Sequence, residues 1–392
     1  MDTKEQPRLV ADLFTRGRRR TTRVAVEQEF IVADTTTGAP VPIDLVRRST
    51  GAPTTPPTQA VRPSPGTPTT PPTQAVDRST GGPITQSDRP SPGVPTTLST
   101  QSAGRSTGAP TTPPTQAVRP STGAAACLSF EPGGQIELSL PCVSGSAAIT
   151  RLLTVLTDDL RQHLDPAGIR IDAIPCDPRP TVPLQLTTPR YAAMQRHFDT
   201  IGPAGRRMMR RTASTQVCLD WWPGEAGAEQ WRVLNLAAPF LAAAFARSTG
   251  PDGRLTTWLS VDPDRTGFDN RLLAKEPGAC PIPAYISFAE AATPFTDGPA
   301  EHLSTLFPPV RPRATYLEVR FLDAQEPAAV AQAIAALENL MYDDDLRRRT
   351  LRALEPELPH LADHWRAAAA GDPGITSRGR ELAQLPNLEL VA

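Results

Sequence analysis

The chain has 392 residues, which is enough for one large domain or two ordinary domains with a sizeable core. Its 40 lysine and arginine residues are balanced by 41 acidic residues, which argues against a sequence-independent grip on nucleic acid. The five cysteines are widely spaced and never form a CxxC pair, so they indicate neither a disulfide framework nor a zinc site. We therefore expect a protein of the reducing cytoplasm.

The ends and the apolar runs of the sequence predict no contact with a membrane. The N-terminal segment MDTKEQPRLVADLFTRGRRR has no apolar stretch of the kind that a signal peptide needs. No apolar run approaches the roughly 20 residues of a membrane helix. The run Leu234 to Ala246 is too short to cross a membrane, and it predicts a buried helix.

The spacing of apolar residues predicts the elements in chain order. Arg23 to Asp34 alternates as a strand, and residues 127–140 predict two short strands around the turn Pro132-Gly133-Gly134. The further predictions are a helix from a Ser144 cap to about Leu164, a strand at 168–176, a helix from Thr188, a strand at 212–220, a buried helix at 228–246, a strand at 313–324 and a helix at 327–341. The mixture has no regular βαβ period, so it predicts an α+β fold with a largely antiparallel sheet.

Residues 48–123 differ from the rest of the chain. The sequence RSTGAPTTPPTQAVRPS occurs at 48–64 and again, unchanged, at 105–121, and TPTTPPTQAV occurs at 67–76. Such a composition cannot bury enough apolar surface to offset the entropy of ordering it. We therefore predict a disordered low-complexity insertion at 48–123 within a single catalytic domain made of 1–47 and 124–392. The alternative is a proline-rich ligand of SH3- or WW-like domains.

Four glutamates on three predicted strands indicate a metal-binding site. Glu27 and Glu29 lie two residues apart and therefore share one strand face. Glu137 and Glu318 each lie inside an apolar run. Carboxylate oxygens are ligands that Mg²⁺ prefers, and proteins usually hold Mg²⁺ together with substrate phosphates. With Arg320 nearby, the set predicts a nucleotide–metal site. For each glutamate taken alone, a solvated strand face is the alternative.

The sequence has no Gly-rich phosphate-binding loop, because the GxGxxG and GxxxxGK[ST] patterns are both absent. If ATP binds here, metal and arginine must therefore hold its phosphates. The five histidines have neither HExxH nor triad spacing, and we expect them to be structural.

Five motifs in this order resemble the glutamate–cysteine ligases of the plant and actinobacterial type: VAVEQEF, EPGGQIELS, RMMRRTASTQVCLD, DPDRTG and HLSTLFPPVRPRATYLEVRFLDA. The resemblance covers about residues 20–47 and 124–370, and it is strongest to the actinobacterial enzymes that make γ-glutamylcysteine for ergothioneine synthesis. It implies a glutamine-synthetase-like fold, with ATP, metal and substrates on the concave face of a curved antiparallel sheet and helices outside. It also implies the reaction, in which ATP phosphorylates the γ-carboxylate of L-glutamate and the amine of L-cysteine then displaces phosphate.

The resemblance further implies roles for single residues. The metal ligands that it implies are Glu27, Glu29, Glu131, Glu137 and Glu318. The implied catalytic residues are Arg320, which would stabilise the transferring phosphoryl group, and Arg265. The implied cofactor-binding residues are Gln216, Arg254 and Arg320.

Two alternatives stay open at this point. One is another ATP-dependent carboxylate–amine ligase of the same superfamily with a different amine acceptor. The other is a non-catalytic member of the family that works through its proline-rich segment. The intact glutamates and Arg320 favour an enzyme, whereas the repeat favours the second alternative.

Overall fold

The computed structural model describes residues 5–50 and 126–384, together with the backbone of 116–118. The strands are β1 (Arg23–Asp34), β2 (Gln116–Val118), β3 (Ala126–Phe130), β4 (Ile136–Ser139), β5 (Val143–Ser144), β6 (Ile169–Asp172), β7 (Ser214–Asp220), β8 (Val310–Arg313) and β9 (Tyr316–Asp323). The helices are α1 (Glu5–Leu13), α2 (Ile43–Ser49), α3 (Ser146–Leu164), α4 (Pro189–Ile201), α5 (Ala204–Arg211), α6 (Gly224–Ala244), α7 (Arg254–Leu259), α8 (Pro263–Thr266), α9 (Ile282–Ala291), α10 (Pro299–Ser304), α11 (Pro327–Tyr342), α12 (Asp344–Leu354), α13 (Leu361–Ala370) and α14 (Pro373–Leu382). Two 3₁₀ helices cover Asp165–Ala167 and Glu355–His360.

The described strands form one antiparallel sheet in the order β2-β3-β4-β1-β7-β9-β8, and β5 and β6 also pair with β1. The long strand β1 precedes the repeat, and it pairs with β4 on one side and β7 on the other, both of which follow the repeat. In this register Glu29 lies opposite Glu137, and Glu27 lies opposite Gln216. The register thus gathers predicted site residues at the centre of the sheet.

The two faces of β1 differ in character. Val24, Val26 and Phe30 are fully buried in the main core, where α3, α6 and α11 lie against the sheet. Since side chains alternate along a strand, Glu27 and Glu29 point to the opposite face. The predicted α+β class, with an antiparallel sheet and helices on the face away from the carboxylates, is confirmed.

A second, smaller apolar cluster is built by α4, α5 and the segments beside them. Its members are Tyr191, Met194, Phe198, Met208, Met209, Val261 and Phe307. Trp258 of α7 packs against this cluster. Among the helices beside this cluster, α4 contacts α5, and α5 contacts α7.

The predicted start of the helix after β5 needs a correction. The N-cap residue is Gly145 rather than Ser144, and its left-handed φ of 84° suits glycine. The N–H of Ser146 donates to Oε2 of Glu338 in α11, at 2.8 Å. A carboxylate from a distant helix therefore satisfies the first turn, and no local sequence signal could have identified it.

The predicted strand at 313–324 also needs a correction. Arg313 ends β8, and Tyr316 begins β9, so the segment is the second half of a hairpin. Ala314 takes a positive φ of 57° in the turn between them. Alanine is not a typical residue for this conformation, which explains why the turn was not predicted.

Most of the predicted insertion at 48–123 lies outside the described residues. At two places the structure does describe it: Arg48 and Ser49 belong to α2, and Gln116–Val118 form β2 at the edge of the sheet. In β2, Ala117 pairs with Cys127 of β3. The boundaries of the predicted disorder therefore need a correction at these positions.

Among the described residues, we find no helix with the length and apolar character that spanning a membrane would require. The buried run around Leu234 lies in α6, most of whose residues are packed inside the protein.

Candidate active site

A cavity of about 250 Å³ lies on the carboxylate-bearing face of the sheet. All five of the glutamates predicted as metal ligands line it, and so do Gln216 and Arg320. Arg254 and Arg265 do not belong to its lining. The cavity also has an apolar wall from the smaller cluster, made of Tyr191, Met194, Met208, Met209, Trp258 and Phe307.

Three of these glutamates, Glu29, Glu131 and Glu137, form what we call the carboxylate cluster. Each offers a carboxylate oxygen within 4.8 Å of the other two. Oε1 of Glu137 accepts hydrogen bonds from the hydroxyls of Ser129 at 2.8 Å and Ser139 at 3.3 Å. Like charges at this spacing repel one another unless a cation lies between them, and hard oxygen ligands suit Mg²⁺.

Glu29 is held at the cluster by its own strand and by β7. The N–H of Ser214 donates to its Oε2 at 2.7 Å. Burial raises the pKa of Glu29, although the charge of Arg254 and the Ser214 N–H oppose the shift. A bound cation would favour the ionised carboxylate that burial disfavours.

Glu131 reaches the cluster from the turn between β3 and β4. Within this turn the Gly133 N–H donates to Oε1 of Gln135 at 3.0 Å, and Nε2 of Gln135 donates to the carbonyl of Thr212 at 2.9 Å. A Cβ on Gly133 would lie 2.3 Å from the carbonyl oxygen of Arg210. Only glycine therefore lets the turn lie this close to α5.

Glu318 lies in the cavity wall but outside the carboxylate cluster. Its Oε1 accepts a hydrogen bond from Nη1 of Arg320, and Nε of Arg313 lies 3.3 Å from its Oε2. Burial alone would raise the pKa of Glu318, but the charges of Arg320, Arg313 and Arg311 outweigh burial and lower it to about 2. In this arrangement Glu318 orients arginines. Glu27 also lines the cavity without joining the cluster, so metal ligation by either residue stays a prediction.

Gln216 joins the carboxylate cluster to Arg320. It lies at an irregularity in the pairing of β7 with β9, between Thr215 and Val217. Its Nε2 donates to Oε1 of Glu29 at 3.1 Å, and its Oε1 accepts from Nη1 of Arg320 at 2.6 Å. The side-chain amide thereby sets the spacing between a candidate metal ligand and a candidate phosphate-binding group.

Arg254 lies behind the wall formed by β9. Its Nη2 donates to the carbonyl of Arg320 at 3.0 Å, and its Nη1 donates to the carbonyl of Phe321 at 3.2 Å. Burial lowers the pKa of Arg254, while the charges of Asp323 and Glu29 oppose this shift. The side chain supports the strand that carries Arg320, and its predicted contact with the cofactor stays a prediction.

Arg265 is fully buried away from the cavity lining. Its Nε donates to Asp262 at 3.2 Å, its Nη1 donates to the hydroxyl of Thr305 at 2.6 Å, and its guanidinium lies 4.4 Å from the centre of the Phe295 ring. Protein groups thus surround it. The structure does not bring Arg265 to the other site residues, and its predicted catalytic role stays a prediction.

Sequence reasoning missed three arginines that line the cavity, Arg190, Arg311 and Arg313. Nη2 of Arg190 and Nη2 of Arg311 both donate to the carbonyl of Ser304, at 3.2 and 2.9 Å. Among the described residues, neither of these two forms an ion pair with a carboxylate. The sequence could have identified Arg311 and Arg313, because they lie two residues apart just before the LEVR motif and would share one face of a strand. The sequence around Arg190 carries no such signal, apart from its position near the start of a predicted helix.

Comparisons with known proteins identify the family. The sequence model of glutamate–cysteine ligase family 2 matches residues 94–266 and 296–378, more than half of the chain. The chain is 31% identical to the glutamate–cysteine ligase EgtA of Mycolicibacterium smegmatis, over 68% of this chain and 70% of that protein. It is 30% identical to the EgtA of Mycobacterium tuberculosis, over 62% of this chain and 64% of that protein. It is 26% identical to the chloroplastic glutamate–cysteine ligase of Arabidopsis thaliana, over 56% of this chain and 49% of that protein.

The chain therefore belongs to glutamate–cysteine ligase family 2, and the predicted family and enzyme class are confirmed. A ligase of this family uses ATP and small-molecule substrates. The chain spans 70% and 64% of the length of the two mycobacterial relatives and about half of the plant one.

Solved structures resemble the chain only distantly. A bifunctional glutathione synthetase from Pasteurella multocida superposes with a TM-score of 0.40 and 10% identity, over 96% of this chain and 48% of that chain. A glutamine synthase homolog superposes with a TM-score of 0.32 and 14% identity, over 97% of this chain and 75% of that chain.

Proposed function

We propose that this protein is an ATP- and Mg²⁺-dependent ligase that joins the γ-carboxylate of L-glutamate to the amine of L-cysteine, as a cytoplasmic enzyme of ergothioneine biosynthesis. One observation supports this function above the others. A single cavity holds the three-carboxylate cluster and Arg320, and Gln216 hydrogen-bonds to both. This combination suits the binding of a metal-bound polyphosphate next to the substrate carboxylate that receives its terminal phosphoryl group.

The reaction proceeds in two steps. An oxygen of the glutamate γ-carboxylate attacks the terminal phosphorus of ATP, ADP leaves, and an acyl phosphate forms. The amine of cysteine then attacks the acyl carbon, phosphate leaves with the bonding electron pair, and the amine loses a proton. No protein nucleophile is needed, and the described residues that line the cavity include no cysteine or histidine.

Glu29, Glu131 and Glu137 are the residues that would hold Mg²⁺, because their oxygens are hard ligands at a suitable mutual spacing. The ion supplies positive charge that neutralises phosphate oxygens. The hydroxyls of Ser129 and Ser139 keep the Glu137 carboxylate in place.

The arginines of the cavity would bind and stabilise the negatively charged oxygens of the substrates. Arg320 is fixed by Glu318 and Gln216, so its planar donors are oriented before the phosphoryl group arrives. Arg190 and Arg311 share the Ser304 carbonyl and suit an anionic oxygen of a substrate, either a carboxylate or a phosphate. The apolar wall around Tyr191 would limit the access of water to the acyl phosphate.

The test is ADP release from purified protein with Mg²⁺-ATP and L-glutamate, with candidate amino acids added one at a time. We expect L-cysteine to stimulate ADP release most and γ-glutamylcysteine to appear in equal amount. EDTA should abolish turnover, and added Mg²⁺ should restore it. Greater stimulation by another amine would support a different carboxylate–amine ligase, and no ADP release with any amino acid would support a non-catalytic member of the family.

A further inference from the structure

The helix α5 has two faces of opposite character. Met208 and Met209 line the candidate active-site cavity. Arg206, Arg207, Arg210 and Arg211 line a second groove, with a volume of about 520 Å³, which we call the arginine groove. The period of the helix puts these two sets of side chains on opposite sides.

Within the described residues, carboxylates pair with two of the four arginines. Nε of Arg206 lies 2.6 Å from Oδ1 of Asp199, and Nη1 of Arg207 lies 3.0 Å from Oδ1 of Asp252. Asp252 is almost fully exposed, so its pairing with Arg207 is screened by solvent.

Arg210 and Arg211 form no ion pair with a carboxylate in the part of the chain that the structure describes. Arg211 donates to the carbonyls of Asp177 and Pro180, and Arg210 donates to the carbonyl of Val182 and to the side chain of Gln195. Carbonyl and amide oxygens satisfy donors without cancelling their charge. The groove therefore carries an excess of positive charge.

Burial lowers the pKa of Arg210, the neighbouring charge of Arg206 lowers it further, and the charge of Asp199 opposes the shift. The Nε hydrogen of Arg210 also has no hydrogen-bond partner within the described ranges.

The opposite side of the groove is formed by the segment around α7. Pro251, Thr256, Thr257 and Ser260 line it. The hydroxyls of Thr256 and Ser260 donate to the carbonyls of Gly250 and Thr256, so their oxygens remain able to accept. This wall supplies small polar groups, and the carboxylate that this segment brings to the groove is the exposed Asp252 beside Arg207.

We propose that the arginine groove binds a small anion with two or more phosphoryl groups, at a site separate from the catalytic cavity. Guanidinium forks match phosphoryl oxygens bidentately. Arginines four residues apart on a helix have Cβ atoms about 5–6 Å apart, which suits adjacent phosphoryl groups better than a single ion. The groove is twice the volume of the catalytic cavity, which leaves room for such a ligand.

This inference goes beyond the proposed ligase activity, and its test does not need turnover. The probe is inorganic tripolyphosphate, titrated calorimetrically into the full chain in EDTA so that no metal bridges it to the carboxylate cluster. ADP is titrated in parallel, because a nucleotide and an inorganic polyphosphate share the same phosphoryl chemistry. Because the proposed catalytic cavity also binds ADP, only ADP binding that the groove variant Arg206→Gln/Arg210→Gln loses would identify a nucleotide as the ligand of the groove.

The variants separate the groove from the cavity. Arg206→Gln/Arg210→Gln should weaken tripolyphosphate binding at least about tenfold, since two charge-assisted contacts are lost. Arg190→Gln, in the catalytic cavity, should leave binding unchanged. Loss of binding in Arg190→Gln with retention in the double variant would overturn the proposal.

A second variant tests the groove without changing α5, so misfolding of that helix cannot explain a loss of binding. Ser260→Glu places a negative charge at the exposed rim of the groove without touching the helix, and it should also weaken binding several-fold. Thr154→Glu on α3 is the matched control, because its exposed hydroxyl likewise donates to the carbonyl four residues earlier. Equal affinities of wild type, Ser260→Glu and Thr154→Glu would contradict an arginine-groove site.

Discussion

At the scale of single residues, three neighbouring side chains hold Arg320 in place. Nη1 contacts both Glu318 and Gln216, and Arg254 supports its carbonyl from behind. Burial acts against the charge of Arg320, but Glu318 more than offsets burial and raises the pKa of the guanidinium. A donor held in this way needs little reorganisation when charge develops on a transferring phosphoryl group.

Replacing Arg320 tests this interpretation. Arg320→Lys keeps the charge but loses the planar fork, so kcat should fall on the order of 10²–10³-fold while the KM for ATP changes less. Steady-state ADP release measures both. Arg378→Lys is the matched control, because Arg378 also pairs with a glutamate, Glu357, at 2.7 Å but lies outside the cavity lining. A near wild-type kcat in Arg320→Lys would make the pair with Glu318 purely structural.

The pKa of Glu318 gives a prediction for stability. Its folded-state pKa of about 2 lies below the ordinary value of 4.5, so its ionised form stabilises the fold at pH values above 4.5. This contribution is lost as the pH falls from 4.5 towards 2. The difference in unfolding free energy between wild type and Glu318→Gln should therefore be largest near neutral pH and shrink across that window. Urea unfolding at several pH values measures it, and a difference that grows on acidification would contradict the pairing.

Alternation along strands predicted which way the glutamates face, but it could not predict how they group. Glu27 and Glu29 were rightly placed on one face of β1, and only the register with β4 and the turn after β3 puts Glu29, Glu131 and Glu137 together. Cross-strand register depends on contacts between distant parts of the chain. For the same reason, burial of Arg265 inside a polar network could not be predicted from a motif.

At the scale of elements, the turn between β3 and β4 and the helix α5 depend on each other. Gly133 touches the backbone of Arg210, and Gln135 ties the turn to the carbonyl of Thr212. The turn carries Glu131, and α5 carries part of the cavity wall. A displacement between the two elements would therefore alter the carboxylate cluster and the apolar wall together.

Gly133→Ala tests this dependence. The new Cβ would lie 2.3 Å from the Arg210 carbonyl oxygen, so one element must shift. We expect a loss of about 1–3 kcal/mol in unfolding free energy, together with weaker activation by Mg²⁺ because Glu131 moves. Gly202→Ala is the control, since nothing lies within 4 Å of its Cβ position, and it should be nearly neutral. Equal stability and equal Mg²⁺ dependence of the two variants would contradict the coupling.

The sequence was most informative about elements with strong periodicity and least informative about connections. The bounds of β1 were predicted to the residue. The helix predicted from Thr188 begins at Pro189, with Thr188 as its N-cap and the Thr188 hydroxyl accepting from Tyr191 N–H. The hairpin at Ala314 was missed because its turn lacks the usual glycine or asparagine.

At the scale of the whole molecule, one question is how the fold tolerates a long low-complexity insertion. The strand before it and the strands after it pair in a single sheet. Extra loop length costs only about 0.6 kcal/mol for each doubling. The insertion should therefore be dispensable for stability wherever it makes no strand of the sheet.

Two deletions test this. Removing 51–115 and joining the ends with a short Gly/Ser linker keeps β2, and it should shift the melting temperature by less than about 3 °C. Removing 51–121 also deletes β2, leaves the edge of β3 unpaired, and should lower the melting temperature further. Calorimetry compares the two. A large loss of stability in the shorter deletion would show that the repeat itself supports the fold.

The origin of β2 has a consequence for how this protein can vary between strains. Its residues, Gln116–Val118, are the end of the heptapeptide TPPTQAV, which the sequence contains three times, at 55–61, 70–76 and 112–118. A deletion that joins one of the first two copies to the residues after the third would again put this heptapeptide directly upstream of β3. The edge strand is thus encoded redundantly. Natural length variants of this insertion should differ by complete repeat units and still present a Gln-Ala-Val triplet to the same edge.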